Sequence, residues 1–150
     1  MPRILIVDDH PFVRRGVRSI LRPFPEWELC GEAENGDDAI RIAEALKPKV
    51  VIMDISMPGI SGIDAARTIH KTSPDTKIIL LTLHESPELV RSAFRAGAQA
   101  YILKVDAERE LIKALGAVLA DSMYISSKIK PEVARSVIRE MFRPRSAPPA

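Results

Sequence analysis

Five residues of this chain are of types that can hold a metal ion and a phosphoryl group, and each ends an apolar run. Asp8-Asp9 follow Ile4-Leu5-Ile6-Val7, and Asp54 follows Val50-Val51-Ile52-Met53. Thr82 closes Lys77-Ile78-Ile79-Leu80-Leu81, and Lys104 follows Ala100-Tyr101-Ile102-Leu103. Three carboxylates brought together repel one another unless a cation joins them, and a hard divalent ion is the economical answer. Mg²⁺ (or Mn²⁺) needs only one or two carboxylates and a backbone carbonyl, which leaves room for waters and a phosphoryl oxygen. Asp54 is then a candidate to attack phosphorus in line. The metal and Lys104 would neutralise charge on the transferring oxygens, and the Thr82 hydroxyl would donate to the same group.

Each residue alone has a plainer reading. Asp8 and Asp9 would favour a helix N-terminus, Asp54 a turn before Pro58, Thr82 a strand end, and Lys104 a solvated end. Together the plainer readings fail, because all five fall at the carboxyl ends of strands. That is the edge where open parallel sheets bind ligands.

The elements that must carry these residues alternate. Continuous Val/Ile-rich runs read as parallel strands buried on both faces. Phe12, Val13, Gly16, Val17, Ile20, Leu21 and Phe24 form a helical stripe opened by Pro11, with Arg14, Arg15, Arg18 and Arg22 mostly facing away. Residues 27–33 read as a second strand, with Cys30 a buried, inert thiol. Asn35-Gly36 is turn chemistry before a second helix closed by Pro48. Ser61 with Asp64 reads as a capping box for a third helix. Ser86-Pro87 opens a fourth helix that Gly97 ends, and Asp106 is positioned to cap a fifth. Five strand–helix alternations predict an α/β fold, a doubly wound parallel sheet with right-handed crossovers.

Past Asp121 the pattern changes. Met123-Tyr124-Ile125 is a short extended piece, and Pro131 opens an amphipathic helix with Val133, Val137, Ile138, Met141 and Phe142 on one side. That stripe needs burial, either on its own domain or on a second copy. The division expected is 1–121, a linker and extra helix over 122–142, and a flexible Pro/Arg tail over 143–150. With 150 residues, 46% hydrophobic content and a net charge of +2, the chain is an ordinary globular domain with no bulk case for nucleic-acid or membrane binding. A single cysteine, no membrane-length apolar stretch and no signal peptide read most simply as cytoplasmic.

The chain resembles the receiver domain of two-component response regulators. The resemblance is carried by Asp8-Asp9, Asp54-Ile55-Ser56-Met57-Pro58-Gly59-Ile60-Ser61-Gly62, Leu81-Thr82, and Gly97-Ala98 through Tyr101-Ile102-Leu103-Lys104, over roughly residues 3–120. It implies a flavodoxin-like (βα)5 sheet of order 2-1-3-4-5. It also implies Asp54 as acceptor of phosphate from a histidine kinase, with Asp8, Asp9, Asp54 and the Ser56 carbonyl around the metal. Thr82 and Tyr101 would be the switch pair, the hydroxyl moving to the phosphoryl group and the ring rotating inward behind it. Ser56 and His84, two residues beyond Asp54 and Thr82, would set access of hydrolytic water, and their types predict moderate to slow self-dephosphorylation. One residue departs from the family: Val105 stands where many members have a proline after a cis peptide. A cis bond before valine costs roughly 2.5–4 kcal/mol, so the geometry there is open.

A phosphatase or mutase with an aspartyl nucleophile would want a second carboxylate two residues on, where this chain has Ser56. The segment from Met123 through the helix after Pro131 resembles the linker of regulators with a LuxR-type helix-turn-helix. It implies transcriptional output through a DNA-binding domain outside these residues, with homodimerisation on phosphorylation. The alternative is a stand-alone regulator acting by protein contact.

Overall fold

A computed structural model describes residues 1–142. The apolar runs form strands with almost no exposed face: β1 (Arg3–Val7), β3 (Val50–Met53), β4 (Lys77–Thr82) and β5 (Ala100–Leu103). Side chains alternate across a strand, so each run feeds two apolar layers. Leu5, Val51, Ile78 and Tyr101 face one layer, and Ile4, Val50, Ile79 and Ile102 the other. Helices α1 (Pro11–Leu21) and α5 (Ala107–Leu119) cover the second layer, through Val17, Leu21, Leu111 and Leu115. Helices α2 (Gly36–Leu46), α3 (Gly62–Thr72), α4 (Pro87–Arg95) and α6 (Pro131–Met141) cover the first. Each Val, Leu or Ile so buried contributes roughly 1.5–3 kcal/mol.

With β2 (Glu28–Ala33) and β6 (Tyr124–Ile125), the sheet runs β2-β1-β3-β4-β5-β6 and every neighbouring pair is parallel. This is the flavodoxin-like order expected, extended by one strand. The extended piece at Met123–Ile125 is recruited as β6 because β5 would otherwise be an unpaired edge: Tyr124 N–H donates to the Gln99 carbonyl (3.0 Å) and Ser126 N–H to the Tyr101 carbonyl (2.9 Å).

Several local expectations need correcting. The α1 stripe stops at Leu21: Phe12 stays exposed on the first turn, and Phe24 lies beyond the helix, stacked on Trp27 at 5.3 Å. Arg14 does not face solvent but lies largely buried over the β1 and β2 ends. Cys30 is half-buried, because β2 is the sheet's outer strand. Asn35-Gly36 is a helix start, not a free turn, since the Asn35 side chain accepts from Asp38 N–H at 2.8 Å. Ser61 caps α3 by accepting from Asp64 N–H, but the Asp64 carboxylate pairs with Arg67 instead of closing the box. The Lys104–Val105 peptide is trans, as there is no cis bond among the described residues. The stripe of α6 is only half satisfied: Val133 and Val137 are buried, while Ile138, Met141 and Phe142 are exposed. The expected tail at 143–150 lies outside the described residues.

Asp106 stands at the N-cap of α5 but makes no cap bond. Its buried carboxylate instead takes Arg109, Lys128 (3.3 Å) and the Ser126 hydroxyl (3.2 Å). One helical turn on, buried Glu110 accepts from Ser126 Oγ (2.7 Å), Tyr124 Oη (2.8 Å) and Ser127 N–H (3.0 Å). Burial alone would raise the Glu110 pKa, but these donors outweigh it and hold it below the ordinary glutamate value. The Ser126 hydroxyl has one proton for its two carboxylate neighbours, so Ser126→Ala leaves one buried acceptor short of a donor and costs about 1–3 kcal/mol in urea unfolding. A depressed carboxylate adds stability that is complete above its unfolded pKa and is lost as pH falls through the folded value. Glu110→Gln therefore flattens the acid limb of stability below the ordinary glutamate range, whereas the wild type declines there.

Candidate functional site

The carboxyl ends of β1, β3 and β5 bring Asp8, Asp54 and Lys104 into direct contact. The Lys104 ammonium lies 2.9 Å from Asp8 Oδ2 and 3.0 Å from Asp54 Oδ2, with all three side chains largely shielded from solvent. Burial alone would lower the Lys104 pKa, but the hydrogen bonds and charges of the two carboxylates prevail and hold it above the ordinary lysine value. Lys104 is thus a fixed cation. It starts a single 3-10 turn, Lys104–Asp106, that leads from β5 into α5.

The other Asp54 oxygen, Oδ1, accepts Ile55 N–H at 2.7 Å and Ser56 N–H at 3.4 Å. The loop after β3 thereby curls around its own carboxylate and presents it at the sheet edge. Asp9 is partly exposed, yet its Oδ1 is buried and accepts no hydrogen bond. Asp8, Asp9, His10 and Asp54 each offer a ligand atom, and these atoms all lie within 4.8 Å of one another. An orphaned buried oxygen among converging carboxylates suits a divalent cation, so the residues present fit one.

The remaining sequence candidates line the neighbouring loop. Thr82, fully buried at the end of β4, accepts His84 N–H on its hydroxyl at 3.3 Å. Tyr101 is fully buried on β5, its ring inward, and its hydroxyl donates to the His84 carbonyl at 2.8 Å. Burial, with the Asp54 charge adding to it, pushes that phenol well above the ordinary tyrosine range, so it stays a donor. The His84 side chain reaches back across the mouth of the site, its Nε2 2.7 Å from Ser56 Oγ. His84 thus touches Thr82, Tyr101 and Ser56 at once.

Three contributors escape a reading of the sequence. His10 donates its backbone N–H to Asp8 Oδ1 (2.9 Å), and its Nδ1 lies 3.1 Å from the same oxygen and 3.2 Å from Asp9 Oδ1. Its place directly after Asp8-Asp9 is a signal that a search for metal-ligating residue types would use. Arg14 donates to the Asp8 carbonyl at 2.6 Å and pairs with Glu32 on β2 at 3.1 Å, fixing the turn after β1. Gly62 opens α3 directly against the acceptor loop, where a Cβ would lie 1.9 Å from the Asp54 carbonyl oxygen. Its N–H donates to the Ile55 carbonyl at 2.8 Å. Nothing local marks these last two roles, which are made by tertiary approach.

Comparison with known proteins matches residues 4–116 to the response regulator receiver domain family, and the chain belongs to that family. It is similar to the response regulator GacA of Pseudomonas protegens, 36% identical over 149 residues, which span 99% of this chain and 68% of that protein. It is also similar to the response regulator UvrY of Escherichia coli, 40% identical over 138 residues, 92% of this chain and 63% of that one. The chain thus spans about two thirds of the length of these curated relatives. Among solved structures it resembles a LuxR-family two-component response regulator from Aurantimonas, with TM-score 0.80 and 33% identity over 93% of this chain and 96% of that one. The structure of two RcsB dimers bound to two parallel DNAs aligns with TM-score 0.78 and 28% identity, covering 92% of this chain and 68% of that one.

Gly62→Ala tests the close approach at the acceptor loop. The added methyl meets backbone, which cannot rotate away, so the substitution costs about 1–3 kcal/mol or more in urea unfolding. Gly16→Ala, where a Cβ meets nothing within 4 Å, does not destabilise α1.

Proposed function

We propose that this receiver domain accepts a phosphoryl group on Asp54 from a sensor histidine kinase. The observation that carries the reading is the pairing of Asp54: one oxygen is tied to Ile55 N–H and the other to Lys104, at a sheet edge that also gathers Asp8 and Asp9. An Asp54 oxygen forms the bond to phosphorus. The phosphorus–nitrogen bond of the donor phosphohistidine breaks in line, and the imidazole leaves with the electron pair. Lys104 and the backbone amides meet the charge that gathers on the transferring oxygens. Mg²⁺ (or Mn²⁺), held by Asp8, Asp9, Asp54 and the Ser56 carbonyl, supplies further neutralisation there when bound. The chain is an acceptor, not a turnover enzyme, and its own activity is limited to slow self-phosphorylation and hydrolysis.

Thr82 and Tyr101 are the switch pair in this reading. Both hang on the His84 backbone, so a hydroxyl drawn to the phosphoryl group strains the loop that holds the ring. Phosphorylation shifts the equilibrium only by its differential binding to the two arrangements. Residues 1–121 act as the phosphoacceptor domain and 122–142 as the linker. The likeness to a LuxR-family regulator and to RcsB, solved as dimers on DNA, supports a LuxR-type DNA-binding output and a dimer, which in this reading forms on phosphorylation.

Acetyl phosphate with Mg²⁺ adds one labile phosphoryl group to the wild type by intact mass, none to Asp54→Ala, and none without the metal. An adduct persisting in Asp54→Ala moves the acceptor elsewhere. A sizing column run on both samples reads dimerisation. Because Ser56 and His84 are bonded to each other across the mouth, Ser56→Ala, His84→Ala and the double variant shorten the phospho-lifetime by the same factor. Additive effects in that cycle would show that the two residues act separately.

A further inference from the structure

We propose that His10 is a metal ligand of this site and tilts its preference from Mg²⁺ toward Mn²⁺. The inference rests on the metal reading above and adds to it a nitrogen donor. His10 stands at the N-cap of α1 with an extended backbone (φ −100°, ψ 112°), yet its ring makes no cap bond to the helix. The ring turns instead toward the acidic cluster, where Nδ1 lies 3.1 Å from Asp8 Oδ1 and 3.2 Å from Asp9 Oδ1. Those are the oxygens that Lys104 leaves alone, since its ammonium takes the Oδ2 atoms of Asp8 and Asp54. Asp9 Oδ1 is buried with no hydrogen bond.

The donor atoms converge to nearly the span of a coordination shell. Ligands about 2.1 Å from an ion stand about 4.2 Å apart when opposite, and the atoms from Asp8, Asp9, His10 and Asp54 fall within 4.8 Å of one another, so a small inward movement of the side chains closes them on an ion. Between two carboxylate oxygens Nδ1 is a donor, but the imidazole is 63% exposed, so in the tautomer with the proton on a solvent-facing Nε2 it can tilt to offer an ion its Nδ1 lone pair in place of that contact. Mg²⁺ strongly favours oxygen, whereas Mn²⁺ accepts imidazole as well. A His in the shell therefore rewards Mn²⁺ selectively, and an all-oxygen shell does not.

Pulsed electron paramagnetic resonance on the intact chain loaded with Mn²⁺ reads the nitrogen directly. Modulation from a coordinated ¹⁴N is expected in the wild type and absent from His10→Gln. Calorimetric titration of the same variant should show Mn²⁺ affinity falling on the order of tenfold, with Mg²⁺ affinity nearly unchanged. Asp9→Asn serves to locate the ion, since it should weaken both metals. Mn²⁺ bound in an Asp9-dependent manner without nitrogen modulation overturns the role of His10 and leaves the metal reading standing. An equal loss of both metals in His10→Gln also overturns it. Binding that ignores Asp9→Asn, or no binding, overturns the metal reading and the inference with it.

Discussion

The Lys104 ammonium is the interaction on which this arrangement depends. It joins the ends of β1 and β3 to the end of β5, reaching past β4, which lies between β3 and β5 in the sheet. Two carboxylates buried at one edge would otherwise repel, and a buried pair broken on one side is strongly destabilising. The lysine is held by the chain itself, on a tight turn whose next residues anchor α5. Positive charge at this edge is therefore built in before any ion or phosphoryl group arrives, and an incoming anion meets a cation that is already oriented.

Much of this was readable from residue order. Val50–Met53 and Ile78–Leu81 are apolar without interruption, which only a strand covered on both faces tolerates, and the polar residue ending each run falls at the binding edge. Helix starts at Ser86-Pro87 and Pro131 were equally plain, because proline and a hydroxyl side chain act through their immediate neighbours. The misreadings share a cause. Asp106 has a capping residue's chemistry and position, but Ser126 and Lys128 arrive from across the fold and offer better partners. Arg14 reads as a solvated charge on an amphipathic helix until the Asp8 carbonyl and Glu32 come within reach. The place of Gly62 after the helix cap Ser61 is legible, but its close approach to the Asp54 backbone is not. Pattern reports what a residue does to its neighbours in sequence, and these contacts are made by neighbours in space.

The C-terminal helix shows how far pattern settles burial. Five apolar residues on one side of α6 required cover, and the domain itself supplies it for Val133 and Val137, beside α4. Arg95 and Glu140 form an ion pair between the same two helices, with Arg95 Nη2 3.1 Å from Glu140 Oε2. The helix therefore docks along its length through Val133, Val137 and Glu140, while Ile138, Met141 and the capping Phe142 face solvent.

The pairing of β6 with β5 has a consequence for where this domain can be cut. An uncovered strand offers its N–H and C=O groups as a template for another chain. Here the carbonyls of Gln99 and Tyr101 would be so exposed if the backbone ended at Asp121. Such a fragment would keep every residue of the acidic site and still lose the hydroxyl and amide donors that satisfy Glu110. A fragment that keeps its sheet edge paired and Glu110 satisfied therefore runs past β6, and ending it at Asp121 exchanges residues 122–141 for an adhesive flank.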